Sequence, residues 1–322
     1  MIGPNGSGKT NLLEAIMMVS LGKSYRAPDQ ELIMRGKEWS RIDALTPTGN
    51  RTVKLTRSGP PTKQIIIANK PYKRINTTQQ LAIVLFEPNH LLMLSGSPEL
   101  RRSYLDGILE QTKSGYKKLK NDYLRTLGQR NSLLKSGQAN TNDIFPWNVR
   151  LSQLGGILAV ARSELAQRLN QNISDTYDQL SGGNERISLV YQACVNLDRY
   201  ESQMLKKLEQ SFELDKLRRF TVYGPHREDM EVRINNKSPQ LYASRGEART
   251  ITIALKAAEL QIIEKEKNQQ PIVLLDDVFS ELDEKRRTAL IDLLNSAQTI
   301  ITATDVRMIK LPKKTNLIKL TS

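Results

Sequence analysis

Near its start the chain reads Gly3-Pro4-Asn5-Gly6-Ser7-Gly8-Lys9-Thr10, which satisfies the spacing G-x-x-x-x-G-K-[ST] at every position. Its glycines let the backbone turn tightly, so that successive N–H groups point inward, and a helix beginning near Lys9 adds its positive dipole end. A concavity of that kind binds polyphosphate. Lys9 would reach the β- and γ-phosphates as a point charge, and the Thr10 hydroxyl would ligate Mg²⁺. Gly3, Pro4, Asn5, Gly6, Ser7 and Gly8 are then the backbone lining of an ATP site. The plain alternative is a glycine-rich turn that caps an ordinary helix.

A second stretch decides between the two. Residues 271–283 read PIVLLDDVFSELD. The apolar run 272–275 has no alternation, as expected for a parallel strand buried on both faces. Such a strand delivers Asp276 and Asp277 to the carboxyl edge of a sheet, where open α/β folds bind ligands. Asp276 would hold the Mg²⁺, and Asp277 would orient or deprotonate the attacking water. Taken alone the pair could cap the next helix; with the first motif it points to a nucleotide site.

At 322 residues the chain can bury one large core or two smaller ones. Its 48 basic against 34 acidic residues, net +14, point to a polyanionic partner, with nucleic acid the first candidate. The one cysteine, Cys194, excludes an internal disulfide and reads as a small buried hydrophobe. No run reaches the length of a membrane span and no signal sequence is evident, so the expected location is cytoplasmic, with no membrane partner. A phosphate loop normally follows a buried strand, yet only Met1 and Ile2 precede Gly3. Either translation starts here, or an internal methionine has been taken as the start; the second is expected.

Downstream of the loop, Leu12, Leu13, Ile16, Met17 and Leu21 continue as an amphipathic helix that Gly22 ends. Residues 39–45, 53–56 and 65–68 read as short antiparallel strands, and 83–86 as another buried strand. A helix then opens with Ser97 as N-cap, Pro98 at its first position and Arg101 and Arg102 riding on it. The region 98–215 is helical in pattern. Two long helices meet around 136–143 as a projecting hairpin, and Tyr116 and Tyr123 belong to its core. Between Lys113 and Lys135 stand Lys113, Lys117, Lys118, Lys120, Arg125, Arg130 and Lys135 against the single acid Asp122. That face is a candidate for DNA, or simply a solvated surface. Strands are expected at 219–223 and 230–234, with a tight turn at Asn235-Asn236. The domains expected are an ATPase lobe formed by 1–97 and 216–322 and a helical arm at 98–215.

Two segments compete to cap a γ-phosphate supplied by another copy. Residues 180–184, Leu-Ser-Gly-Gly-Asn, look like the signature of transporter-type ATPases, but Ile187, Leu189 and Tyr191 alternate after them, so they read as a turn into a strand. Residues 244–247, Ser-Arg-Gly-Glu, stand at the start of a helix carrying Ile251, Leu255, Ala258 and Ile262, which leads directly into Asp276. Only this helix start can offer a serine hydroxyl and free N–H groups to anionic oxygens. Ser244, Gly246 and Glu247 are therefore the candidate cap, against an ordinary S-x-x-E capping box.

The set GPNGSGKTNLLEAI at 3–16, VLFEPNHLLMLSGSPELRRSYLD at 84–106, GPHRED at 224–229, ASRGEARTITIALKAAEL at 243–260, LLDDVFSELD at 274–283 and ITATD at 301–305 resembles the RecF family of bacterial DNA-repair ATPases, relatives of the SMC and ABC ATPases. The resemblance spans nearly the whole chain. It implies an α/β, ABC/SMC-type P-loop ATPase head with an inserted helical arm. It also implies an ATP-dependent homodimer on DNA near single-strand gaps, slow hydrolysis, and assistance to RecR and RecO in loading RecA. By the same resemblance residues 280–283 bridge the dimer and Thr304 senses the γ-phosphate. Two departures stand out. The family's opening strand is absent, and Asp277 takes the place where ABC ATPases have Glu, which shortens the carboxylate arm by one methylene and fits slow turnover. The rivals are an SMC-like DNA tether, for which the hairpin is too short, a transporter's nucleotide-binding subunit, which the net charge disfavours, and a monomeric P-loop phosphotransferase.

Overall fold

The computed structural model describes residues 1–57, 62–137, 140–182, 185–237, 244–305 and 315–321. In chain order, helix α1 (Lys9–Leu21) is followed by strands β1 (Trp39–Ala44), β2 (Arg51–Thr56), β3 (Thr62–Ile67), β4 (Lys70–Tyr72) and β5 (Ile83–Phe86). Helices α2 (Pro98–Thr112), α3 (Tyr116–Ser136), α4 (Thr141–Leu169) and α5 (Ile173–Ser181) come next, then β6 (Ile187–Gln192), α6 (Tyr200–Gln210), α7 (Phe212–Arg218) and β7 (Asp229–Ile234). Helix α8 (Arg245–Lys267), β8 (Ile272–Asp276), α9 (Glu284–Leu294) and β9 (Thr299–Thr302) close the order.

Two compact units result, one of residues 1–89 with 260–322 and one of residues 90–259. These limits differ from lines drawn at 97/98 and 215/216. The reason is pairing: β7 lies antiparallel to β6, with Ile187 opposite Ile234, so the stretch after 215 joins the helices that precede it.

In the first unit β5, β8 and β9 form a parallel sheet in that order, Leu85 opposite Leu274 and Leu274 opposite Ile300. Strands β1 to β4 form an antiparallel sheet in sequence order. Helix α1 serves both. Leu13, Met17 and Leu21 pack on Ile83, Leu85 and Leu274 of the parallel sheet, while Met18 and Val19 pack on Val53, Leu55, Ile65 and Ile67. That double duty makes α1 apolar on two sides and leaves Leu12 exposed. Gly22 closes it in the left-handed region at φ 71°, its N–H donating to the Met18 carbonyl.

Met1 and Ile2 occupy the next position in the parallel sheet. Ala303 N–H donates to the Met1 carbonyl at 3.1 Å, and on the other side Leu320 N–H donates to the Ile2 carbonyl at 2.7 Å. An apolar cavity of about 830 Å³ runs on from there, lined in part by Ile300, Ile301, Leu317 and Ile318.

In the second unit α3 and α4 lie against each other, with Gly137 ending α3 and the Asn140 side chain accepting the Asp143 N–H at the start of α4. Tyr116 and Tyr123 are buried, as core residues should be. Pro98 stands at the first turn of α2, but the Ser97 side chain makes no capping bond. Residues 219–223 are not a strand. Arg219 closes α7 in the left-handed region, Thr221 N–H donates to the Asn131 side chain at 2.9 Å, and Val222 N–H donates to Asp215 at 3.0 Å. Side chains thus take the donors that a ladder would have needed. Asn235 and Asn236 make the expected tight turn, both with positive φ. Asp276 ends its strand between two parallel neighbours, as the unalternating apolar run implied.

Candidate functional site: the phosphate loop and the strand edge

The loop from Gly3 to α1 is built on glycine. A Cβ at Gly3 would stand 2.5 Å from the Leu320 carbonyl oxygen and 2.6 Å from Ser7 Oγ, so no other residue fits there. Gly6 and Gly8 adopt φ 83° and 87°, conformations L side chains avoid. Gly8 is the N-cap of α1, which aims the free N–H groups of the first turn into the loop. Lys9 Nζ donates to the carbonyls of Gly3 at 2.6 Å and Pro4 at 2.8 Å. The ammonium is therefore tied across the loop to its own carbonyls.

Strand β8 brings its carboxylates to the same place. Thr10 Oγ1 donates to Asp276 Oδ1 at 3.1 Å, across 266 residues of sequence. Thr302, at the end of β9, donates to the same oxygen at 2.8 Å, and Tyr25, in the loop after α1, donates to Oδ2 at 2.8 Å. Asp277 sits in the left-handed region at φ 51°, a conformation a non-glycine residue holds only when its surroundings enforce it. Its N–H donates to Thr302 Oγ1 at 3.0 Å. Burial and the neighbouring Asp276 push the Asp277 carboxyl above the usual range, with Lys9 opposing. A carboxylate that holds a proton more readily than usual suits a base for water.

The group implied by this loop is a nucleotide with Mg²⁺. Ser7 Oγ is buried with no hydrogen-bond partner among the described residues, an orphan that a phosphate oxygen would satisfy. Thr10 and Asp276 together give the hard oxygen pair that Mg²⁺ takes alongside phosphate and water. The residues fit.

Ser244 lies in the second unit. Its backbone N–H donates to Glu247 Oε2 at 2.6 Å and its Oγ accepts the Glu247 N–H at 3.2 Å, a reciprocal capping box at the head of α8. Ser244 is exposed. Gly246 forms part of the first turn. The rival segment behaves differently: α5 ends at Ser181 and Gly182 is its left-handed C-cap, so a helix C-terminus, which repels anions, faces outward there. Gly183 and Asn184 lie outside the described residues.

Sequence reasoning missed Tyr25, which carries no motif, and passed over Thr302, which lies inside ITATD at 301–305. Thr304 is exposed and the adjacent residues 306–314 lie outside those described. In the loop 280–283, Ser280 Oγ donates to the Asp277 carbonyl at 2.7 Å and Asp283 caps α9 by accepting the Arg286 N–H. The basic face of α3 is smaller than the sequence suggested. Arg130 is fully buried, paired with Asp215 at 2.7 Å, and Lys120 is tied to Glu110 and Asp106. Lys113, Lys117, Lys118, Arg125 and Lys135 remain exposed.

The family model described as the RecF/RecN/SMC N-terminal domain matches residues 1–322. The DNA replication and repair protein RecF of Ruminiclostridium cellulolyticum is 36% identical over 319 residues, covering 94% of this chain and 85% of that protein. The protein of the same name from Desulfitobacterium hafniense is 35% identical over 312 residues, covering 94% and 86%. Among solved structures, the recombination mediator protein RecF-ATP of the RecFOR pathway is 28% identical with a TM-score of 0.83, covering 94% of this chain and 85% of that one. The RecF-ATPrS structure of the same pathway is also 28% identical, with a TM-score of 0.86, covering 96% and 86%.

Proposed function

The chain belongs to the RecF family of DNA replication and repair proteins, an ABC/SMC-type ATPase fold, and we propose that ATP joins two copies of it into a dimer that grips DNA at single-strand gaps. The observation that carries the reading is the approach of Thr10 to Asp276 at 3.1 Å beside the glycine loop. It assembles a phosphate cradle and a metal-holding pair from the two ends of the chain.

Each residue then has a task. The N–H groups of the loop from Gly3 to Gly8 and the Lys9 ammonium bind the phosphates. Thr10 and Asp276 would hold Mg²⁺, which would supply neutralisation of phosphate charge. Asp277 orients and deprotonates the water, and its short arm keeps turnover slow. Ser244 and Gly246 of the second copy cap the γ-phosphate through the first turn of α8, where the dipole favours anions. Glu247 fixes the serine, as its two hydrogen bonds with Ser244 support. Residues 280–283 bridge the two copies, and Thr304 responds to the γ-phosphate.

DNA, single-stranded or gapped duplex, is held by the dimer's basic surface, including Lys117, Lys118, Arg125 and Lys135 on α3. We infer partners of the RecR and RecO type, with RecA served indirectly, in the cytoplasm; the similar structure described as a recombination mediator of the RecFOR pathway supports the mediator role. Among the described residues no helix is long and apolar enough to cross a membrane.

Equilibrium binding of ATP to Lys9→Ala tests the nucleotide reading. Affinity should fall on the order of 100-fold or more, as the loss of charge-assisted hydrogen bonds to phosphate requires. Unchanged affinity would refute it.

A further inference from the structure

Asp276 has two oxygens, and they are not held alike. Oδ1 accepts from Thr10 and Thr302, whereas Oδ2 accepts from Tyr25 alone among the described residues. The loop that carries Tyr25 is itself anchored. Ser24 Oγ donates to Glu14 Oε1 of α1 at 2.6 Å and accepts the N–H groups of Arg26 at 3.0 Å and Ala27 at 3.2 Å, which fixes the backbone on both sides of the tyrosine. The ring packs in the apolar cluster of Leu13, Met17, Leu85 and Leu274.

We propose that Tyr25 is a positioning residue for the metal site: its hydroxyl pins Asp276 Oδ2 and so turns Oδ1 toward Thr10, where Mg²⁺ binds. Outer-sphere partners of this kind orient a ligand before the metal arrives. This rests on the nucleotide reading above and adds to it a residue outside every phosphate-loop pattern. Tyr25 works through Asp276, to which its hydroxyl donates at 2.8 Å.

The test uses Tyr25→Phe, which deletes one oxygen and keeps the ring. Binding of a fluorescent ATP analogue is followed in EDTA and then during a Mg²⁺ titration, with thermal unfolding recorded in parallel. The expected result is unaltered affinity in EDTA, an unfolding midpoint close to that of the parent, and about tenfold more Mg²⁺ at half-effect. Equal Mg²⁺ dependence in the two proteins would overturn the proposal and leave the nucleotide reading intact. So would an equal loss of affinity with and without Mg²⁺, or a variant that no longer folds, since either makes the tyrosine merely structural. If the parent itself bound no ATP, the nucleotide reading would fail first and carry this one with it.

Discussion

Gly3 shows how little freedom the nucleotide site allows a single residue. The 2.5 Å approach that a Cβ would make to a backbone oxygen cannot be relieved by rotating a side chain. Gly3→Ala should therefore displace the 320 segment or the loop, lowering the thermal midpoint and ATP affinity together; a variant with parental values of both would contradict this. Arg130 makes the opposite point. In sequence it belongs to a run of basic residues, yet it is fully buried against Asp215, 85 positions away. Arg130→Ala leaves a buried carboxylate unpaired and should cost about 3–5 kcal/mol in denaturant unfolding. Arg125→Ala, on the exposed face, should leave stability alone and reduce the salt slope of DNA binding by about 1. The same contrast explains what was legible. Lys9, Thr10, Asp276 and Asp277 are readable because spacing and strand pattern carry them, whereas Tyr25 has no signature, and Thr302, though inside ITATD, meets Asp276 only through the pairing of β9 with β8.

Among the elements, α8 and the loop 224–229 carry the sharpest consequences. At the head of α8 the capping box contributes about 1 kcal/mol, a small effect that Ser244→Ala should reproduce in unfolding. The loop is held at nearly every residue: Arg162 donates to the Pro225 carbonyl at 2.7 Å, Tyr123 shares a 2.7 Å hydrogen bond with His226 Nδ1, and Glu228 accepts from Tyr191 and Tyr200. Burial pulls the His226 imidazole down to about 4 from 6.5, with Thr221 opposing and Arg227 assisting. The unfolded chain takes up that proton first as pH falls, so stability is full above pH 6.5 and declines toward pH 4. The loss is on the order of 2–3 kcal/mol across that window. Urea midpoints measured against pH should show the decline, and His226→Gln should make it shallower, with the buried His90, whose imidazole is also held well below its ordinary value, supplying part of what remains. Reading 219–223 as a strand failed for a related reason: Asn131 and Asp215, distant in sequence, capture its backbone donors, and no local pattern reports them.

For the molecule as a whole, the order of motifs was enough to place the chain in its family, whose model matches residues 1–322. Where the compact units divide was not legible, since the pairing of β6 with β7 and the run of α8 across residues 259 and 260 are long-range facts. In the proposed dimer a second copy completes the nucleotide site. Sedimentation equilibrium with and without ATP, on the parent and on Ser244→Ala, measures it most directly. The parent should double its mass with ATP, while the variant should bind ATP with near-parental affinity and stay single. A parent that remains monomeric with ATP bound, or a variant that still doubles, would contradict it.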